Sequence, residues 1–386
     1  AAAHAPAETR SAAVRIADGA AELWVASQAP ADARVRVAQA LNLPLGSVTI
    51  YPMLAGGSFG RNLDNEVAVM AAKLAQALNR PVSLMLSREE DLRAHPVRPP
   101  ALGHVTGVVD AANRVQALSI KIAMPSFMVE TMVRIAGGGE RGEGQAASAG
   151  SADRLAVEGA IPPYAIPNIE VAHFPVDLGI RTGVFRGNSH NIGVFLIENF
   201  IDELAARIDA EPLSFRVGML GEQPRLARCL TRVGEMADWD GGVRSEEGGA
   251  MGVACASLRG SHIAVIAEIQ PSERGPRVTR LSACVDAGAL IDVDIARQQV
   301  EGGLVFGLGQ AFGGALHYEE GRIVERRLID LGLPRFEDCP DIQVEFVRSE
   351  EEPGGIGEIG VPAVAPAIAA ALERFDMKRR WTLPFA

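Results

Sequence analysis

The stretch PGGIGEIGVPAVAPAIAAAL, residues 353–372, decides how the rest of the chain reads. Four glycines, Gly354, Gly355, Gly357 and Gly360, surround a single acid, Glu358, and an alanine-rich apolar helix follows. Glycine admits positive φ and lets a backbone approach its neighbour closely. A carboxylate on such a loop, just ahead of a helix N-terminus, is placed rather than merely solvated. Taken alone, the stretch equally fits a turn into a helix whose acid complements the macrodipole. Its company elsewhere in the chain decides between the two.

Working outward, 386 residues imply two or three domains of ordinary size. Hydrophobic residues make up 48% and aromatics only 5%, which points to a sizeable core of tightly packed small residues. A net charge of −11 argues against a nucleic-acid partner, because phosphate binding needs a basic footprint. No apolar run reaches membrane-spanning length. Cys229, Cys255, Cys284 and Cys339 are scattered without a C-x-x-C pair. They read as small buried residues rather than a disulfide framework or a zinc or iron–sulfur ligand set. The seven histidines lack metal-ligand spacing, so no protein metal site is expected. The chain begins at Ala1 without a methionine or a signal-type apolar region, and is expected to be processed, trimmed or part of something longer.

Residues 11–27 read as one or two strands about an Asp18-Gly19 turn, and 30–42 as a helix with Ala33, Val37, Ala40 and Leu41 on one face. A strand over 47–54 runs into the Gly-rich loop 55–61. Asp64 is expected to cap a helix burying Val67, Met70, Ala71, Leu74 and Leu78. A strand at 82–86 and a hairpin over 105–122 follow. Residues 136–153 are low-complexity Gly, Ala and Ser, expected as a flexible loop. A helix at about 194–208 and the Gly/Glu-rich stretch 240–250 come next, the latter the best boundary, dividing the chain into 1–239 and 240–386. Strands at 261–269, 277–286 and 342–347 flank a Gly-punctuated helix at 292–313. The alternation lacks a strict βαβ repeat, so the expected class is α/β or mixed α+β.

Gly56, Gly57, Ser58, Phe59, Gly60 and Arg61 stand between a strand and a helix. Their backbone N–H groups can cradle an anion, with Arg61 adding charge; a plain tight turn fits as well. The same residues satisfy G-x-S-x-G, which makes Ser58 an alternative nucleophile. Phe185-Arg186-Gly187 places an arginine where it can fork onto a phosphate or carboxylate, or simply lie at the surface. Gly302, Gly303, Gly307 and Gly309 fall in one helix, where each glycine costs roughly 1 kcal/mol against alanine, so close contact with a backbone or a ligand is expected. His190 and His262, near Gly turns, read as structural or substrate-contacting.

These pieces in this order resemble the molybdenum-cofactor-binding subunit of the xanthine dehydrogenase and aldehyde oxidase family, in its isoquinoline 1-oxidoreductase β-subunit branch. The matching stretches are WVASQAP (24–30), GGSFGR (56–61), SREED (87–91), FRG (185–187), ENFIDEL (198–204), QVEGG (299–303) and GGIGE (354–358), which together cover nearly the whole chain. The resemblance implies a two-subdomain fold with a molybdopterin site between the subdomains. Residues 56–60, 185–187 and the loop with Gly355 and Gly357 would line it, and Glu358 would be the base. It implies hydroxylation of an aldehyde or N-heterocycle with water as oxygen source. The cofactor would be molybdopterin, the cytosine dinucleotide form being one version. The electrons would leave through a 2Fe-2S partner subunit, since this chain lacks cluster cysteines. The branch carries an N-terminal half with an M-G-Q-G-type loop that is absent here, so a second chain is expected to supply it. The location implied is periplasmic, with the cytoplasm as alternative. Ser58 and Asn62 depart from the usual glycine and arginine. They keep two alternatives open: a cofactor-free serine hydrolase on the same scaffold, and a degenerate partner-binding subunit without enzymatic activity.

Overall fold

A computed structural model describes residues 1–93, 95–136, 150–242 and 248–385. Residues 137–149, most of the expected flexible loop, and 243–247 of the expected boundary stretch lie outside them. The N-terminal layer starts with β1 (Ser11–Ala17) and β2 (Ala20–Val25), joined by Asp18 and Gly19 at φ 49° and 75°. Positive φ at both turn residues matches the right-handed twist of a two-residue hairpin. Helix α1 (Pro30–Leu41), β3 (Val48–Pro52), α2 (Glu66–Leu78) and β4 (Val82–Met85) complete a sheet of order β3-β2-β1-β4 with both helices on one face.

Two expectations for α2 are corrected. Its N-cap is Asn65; Asp64 is buried and accepts hydrogen bonds from Arg134 at 2.6 Å and Arg181 at 3.0 Å. The buried face is Val67, Ala68, Ala71, Ala72 and Ala75, whereas Met70, Leu74 and Leu78 are exposed. Alanine lets α2 sit close to β1 and α1, so contact distance, not side-chain size, selects the inward face.

After α3 (Arg88–Arg93) come β5 (Leu102–Val109), β6 (Val115–Met124), α4 (Phe127–Ala136) and β7 (Asn168–Pro175). The strands form the sheet β5-β6-β7, with β6 and β7 parallel. Helix α5 (His190–Arg207) lies over it, followed by α6 (Pro212–Gly218) and α7 (Pro224–Met236). Ile197, Ile201, Leu204 and Ala205 of α5 are buried, and so are Val194, Phe195 and Leu196, because the helix is covered on two sides.

The central sheet holds β8 (Ala250–Leu258), β9 (Ser261–Ser272) and β10 (Gly275–Asp286). After α8 (Val293–Phe312), the short ribbon of β11 (Tyr318–Glu319) and β12 (Arg322–Ile323) precedes β13 (Asp341–Phe346) and α9 (Val364–Asp376). The order is β13-β10-β9-β8, with β13 parallel to β10. One face presents Ala254, Val265 and Ala283 to the core that α8 and α9 complete; the other presents Val253, Cys255, Ala264 and Cys284 to the core shared with α5 and α7. A sheet buried on both faces loses polar alternation, which is why β8, AMGVACASL, gives no period-two signal. Gly252 sits where a Cβ would lie 2.2 Å from the Ala367 carbonyl oxygen, so α9 lies directly on the β8 backbone. Of the cysteines, Cys229, Cys255 and Cys284 are buried as expected, but Cys339 is exposed.

Candidate functional site

Three glycine loops converge beside the N-terminus of α5. Gly60, at φ 106°, packs its Cα under the Val184 carbonyl, where a Cβ would come within 2.8 Å of the oxygen. Phe59 is held at φ 56°, a conformation bulky side chains rarely adopt. Its carbonyl accepts the Arg186 N–H at 3.1 Å, and its ring lies 4.6 Å from that of Phe306 on α8. These contacts hold the loop 56–60 against 185–187.

Arg186 forks, but onto backbone. Its Nε donates to the Gly357 carbonyl at 2.8 Å and its Nη2 to the Gln299 carbonyl at 2.9 Å, with the guanidinium 5.9 and 5.8 Å from the Phe59 and Phe306 ring centres. It therefore clamps the third loop to the second. The glycines of α8 divide by role. Gly303 abuts Gly360, where a Cβ would meet the Gly360 Cα at 2.9 Å, and Gly307 abuts Val364. Gly302 faces Arg186, and Gly309 has only loose contacts with Leu333 and Pro334. The expected close approach is thus between helix and loop backbone.

The clamp delivers Glu358. Its Oε1 accepts from the Gly187 N–H at 3.2 Å and from Asn188 Nδ2 at 3.3 Å, while Oε2 faces Arg259 Nε at 3.4 Å. The side chain is 28% exposed. The helix begins only at Val364, so the carboxylate does not sit at the helix end. Sequence reasoning missed Asn188 and Arg259. Both have left-handed backbone, at φ 44° and 50°, and the available signal was the G-N and R-G turn pairs. His190, the first residue of α5, is buried, and that burial pushes its imidazole down to about 4; Glu358 opposes the shift and Arg259 adds to it.

Ser58 is 4% exposed, and its hydroxyl faces the Ala55 carbonyl at 2.6 Å and Gln28 Oε1 at 3.1 Å. Among the described residues no histidine or carboxylate hydrogen-bonds it, so these contacts supply no base for a nucleophile. Arg61 does not add charge to the loop surface. It is 1% exposed, turned inward to 3.6 Å from Asp91, and burial pushes it down to about 9. His262 is engaged by Ser257 Oγ at 2.8 Å.

The donor set tests what could bind. Among the described residues, the N–H groups of Gly56, Gly57, Gly357 and Glu358 donate to no protein acceptor. A Cβ on Gly56 or Gly57 would meet nothing within 4 Å. Open, unpaired amides on a loop with left-handed residues form a cradle for an anionic, oxygen-rich group. The residues fit the phosphate-bearing cofactor that the sequence resemblance implies.

Comparison with known proteins agrees. The molybdopterin cofactor-binding domain family matches in two parts, over residues 1–218 and 239–340. The chain is 28% identical over 389 residues to isoquinoline 1-oxidoreductase subunit beta of Brevundimonas diminuta, covering 98% of this chain and 48% of that protein. It is 28% identical over 383 residues to the membrane-bound aldehyde dehydrogenase [pyrroloquinoline-quinone] of Gluconacetobacter polyoxogenes, covering 92% and 48%. The chain thus spans about half the length of these curated relatives. The crystal structure of quinoline 2-oxidoreductase from Pseudomonas putida 86 shares the fold, with TM-score 0.77 at 15% identity over 97% of this chain and 72% of that one. With the family matched across more than half its length and the same fold found in a solved oxidoreductase, this chain belongs to the molybdopterin cofactor-binding domain family.

Proposed function

We propose that this chain forms the substrate-oxidising part of a molybdenum hydroxylase that acts on an aldehyde or an N-heterocycle with water as the oxygen source. The observation that carries the reading is the fixed Glu358 carboxylate, presented at the junction of three loops whose open amides fit the cofactor. When bound, the molybdenum group supplies the two-electron acceptor. The chain's own residues do the rest. The N–H groups of Gly56 and Gly57 would hold the phosphate of molybdopterin or of its cytosine dinucleotide form. Arg186 and the Phe59–Phe306 contact keep the loops in register. Glu358 would act as base: Oε1 is pinned by Gly187 and Asn188, and Oε2, which also faces Arg259, would take the proton. We also propose that it works with partner subunits, one of which carries a 2Fe-2S electron acceptor.

Glu358→Gln tests this. Glutamine keeps an acceptor for Gly187 and the size of the side chain but cannot take the proton. General-base assistance is worth roughly 10²–10⁴-fold, so kcat should fall by that order with KM little changed and molybdenum content intact. A variant with wild-type kcat would remove Glu358 from the mechanism.

A further inference from the structure

At the N-terminal end of α5 lies a cavity of about 230 Å³, walled by Ile161, Pro162, Pro163 and Val194, with His190 and Gln223 as its free polar groups. That volume is below the roughly 300–1,000 Å³ of pockets holding drug-sized ligands, so it suits a compact ring or short chain. Two links tie it to the site. His190 lines the cavity within electrostatic reach of Glu358, and Ser257, also in its wall, lies two residues before Arg259, the ion-pair partner of Glu358. His190 is held rigidly. A Cβ on Gly159 would sit 2.3 Å from its Cα, and one on Gly193 2.2 Å from the Gly159 carbonyl carbon, so the start of α5 docks backbone to backbone.

The polar groups of this cavity carry no unpaired charge. No lysine or arginine lines it. The one lining carboxylate, Glu198, is saturated: Oε1 accepts from Tyr164 at 2.5 Å, and Oε2 from Arg216 at 2.9 Å and the Cys255 N–H at 3.0 Å. The imidazole of His190, lowered to about 4, is neutral at neutral pH and offers one donor and one acceptor. Neither that ring nor the Gln223 amide makes a side-chain hydrogen bond among the described residues, so both can face a ligand. An entering carboxylate would lose its hydration, meet no cation in the wall, and lie near two carboxylates that already engage Arg216 and Arg259.

We propose that this cavity selects a compact, uncharged substrate, oriented by hydrogen bonds from His190 and Gln223, and rejects the carboxylated analogue of the same shape. The proposal rests on the reading of Glu358 as the base beside the substrate. Pyridine-3-carboxamide and pyridine-3-carboxylate share ring and shape but differ in charge. Saturation-transfer NMR titration of the purified protein with its partners, at neutral pH, should show the carboxamide binding and the carboxylate binding on the order of 100-fold more weakly. Gln223→Arg, which places a cation in the wall, should narrow that gap to about tenfold or less. His190→Ala should weaken the carboxamide about tenfold, a second reading independent of whether the arginine variant folds. Equal binding of both ligands to the wild type, binding of neither, or affinities unmoved by either substitution would overturn the proposal. Should the preference hold while Glu358→Gln retains full kcat, the cavity's selectivity stands and the base assignment falls.

Discussion

Replacing Arg186 with lysine asks whether one guanidinium holds the proposed catalytic loop. Arginine reaches the carbonyls of Gly357 and Gln299 at once because its donors diverge in a plane, and that plane also lies near the Phe59 and Phe306 faces. Lysine is a point donor on a flexible stem and cannot serve both carbonyls from one position. Hydrogen bonds from charged groups contribute ~1.5–3 kcal/mol when buried. Arg186 is only half-buried, so solvent screening reduces this and the net loss to lysine is about 1–2 kcal/mol. With an unfolding entropy near 2.1 cal/mol/K per residue, a chain of 386 residues should lose about 2 °C in Tm. Hydrogen exchange is the sharper assay. The Val361 N–H donates to the Glu358 carbonyl and the Gly355 N–H to that of Arg259, so both report on the loop directly. Their exchange should speed by about tenfold, the equivalent of ~1.4 kcal/mol. Arg186→Met, which keeps the packing without the donors, should lose at least as much. Unchanged exchange at both amides in Arg186→Lys, together with an unchanged Tm, would show that the loop stands without the fork.

Gly252→Ala places a Cβ 2.2 Å from the Ala367 oxygen, and overpacking of this kind costs ~1–3 kcal/mol, read as a lower urea midpoint with an unchanged slope. Burial lowers His4 from 6.5 to about 4, so the folded state resists a proton that the unfolded chain accepts. Its stabilisation is complete above pH 6.5 and is lost as pH falls towards 4, at up to ~1.36 kcal/mol per pH unit. His4→Asn should flatten that decline in urea unfolding series across this window, and a parent with no decline would refute the assignment.

Local residue chemistry determined the parts that depend on backbone freedom. Gly57, Gly60 and Gly187 are demanded by left-handed φ, and Gly354 and Gly360 by direct backbone contact, and both demands leave a mark in one sequence. The placement of Glu358, the helices at Pro30–Leu41 and Val293–Phe312 and the hairpin of β5 and β6 were legible for that reason or through simple periodicity. The tertiary structure alone decided which face of α2 turns inward, because alanine packing rewards closeness and leaves Met70 and Leu74 in solvent. It also decided that β8 is a strand, since burial on both faces erases alternation. The partners of the site were settled at the same level. Asn188 and Arg259 stand 170 and 99 positions from Glu358, and Arg186 spends its charge on carbonyls 171 and 113 positions away. Pairings over such separations leave no local pattern in the chain, because only the packing of α5, α8 and the central sheet brings them within hydrogen-bonding distance.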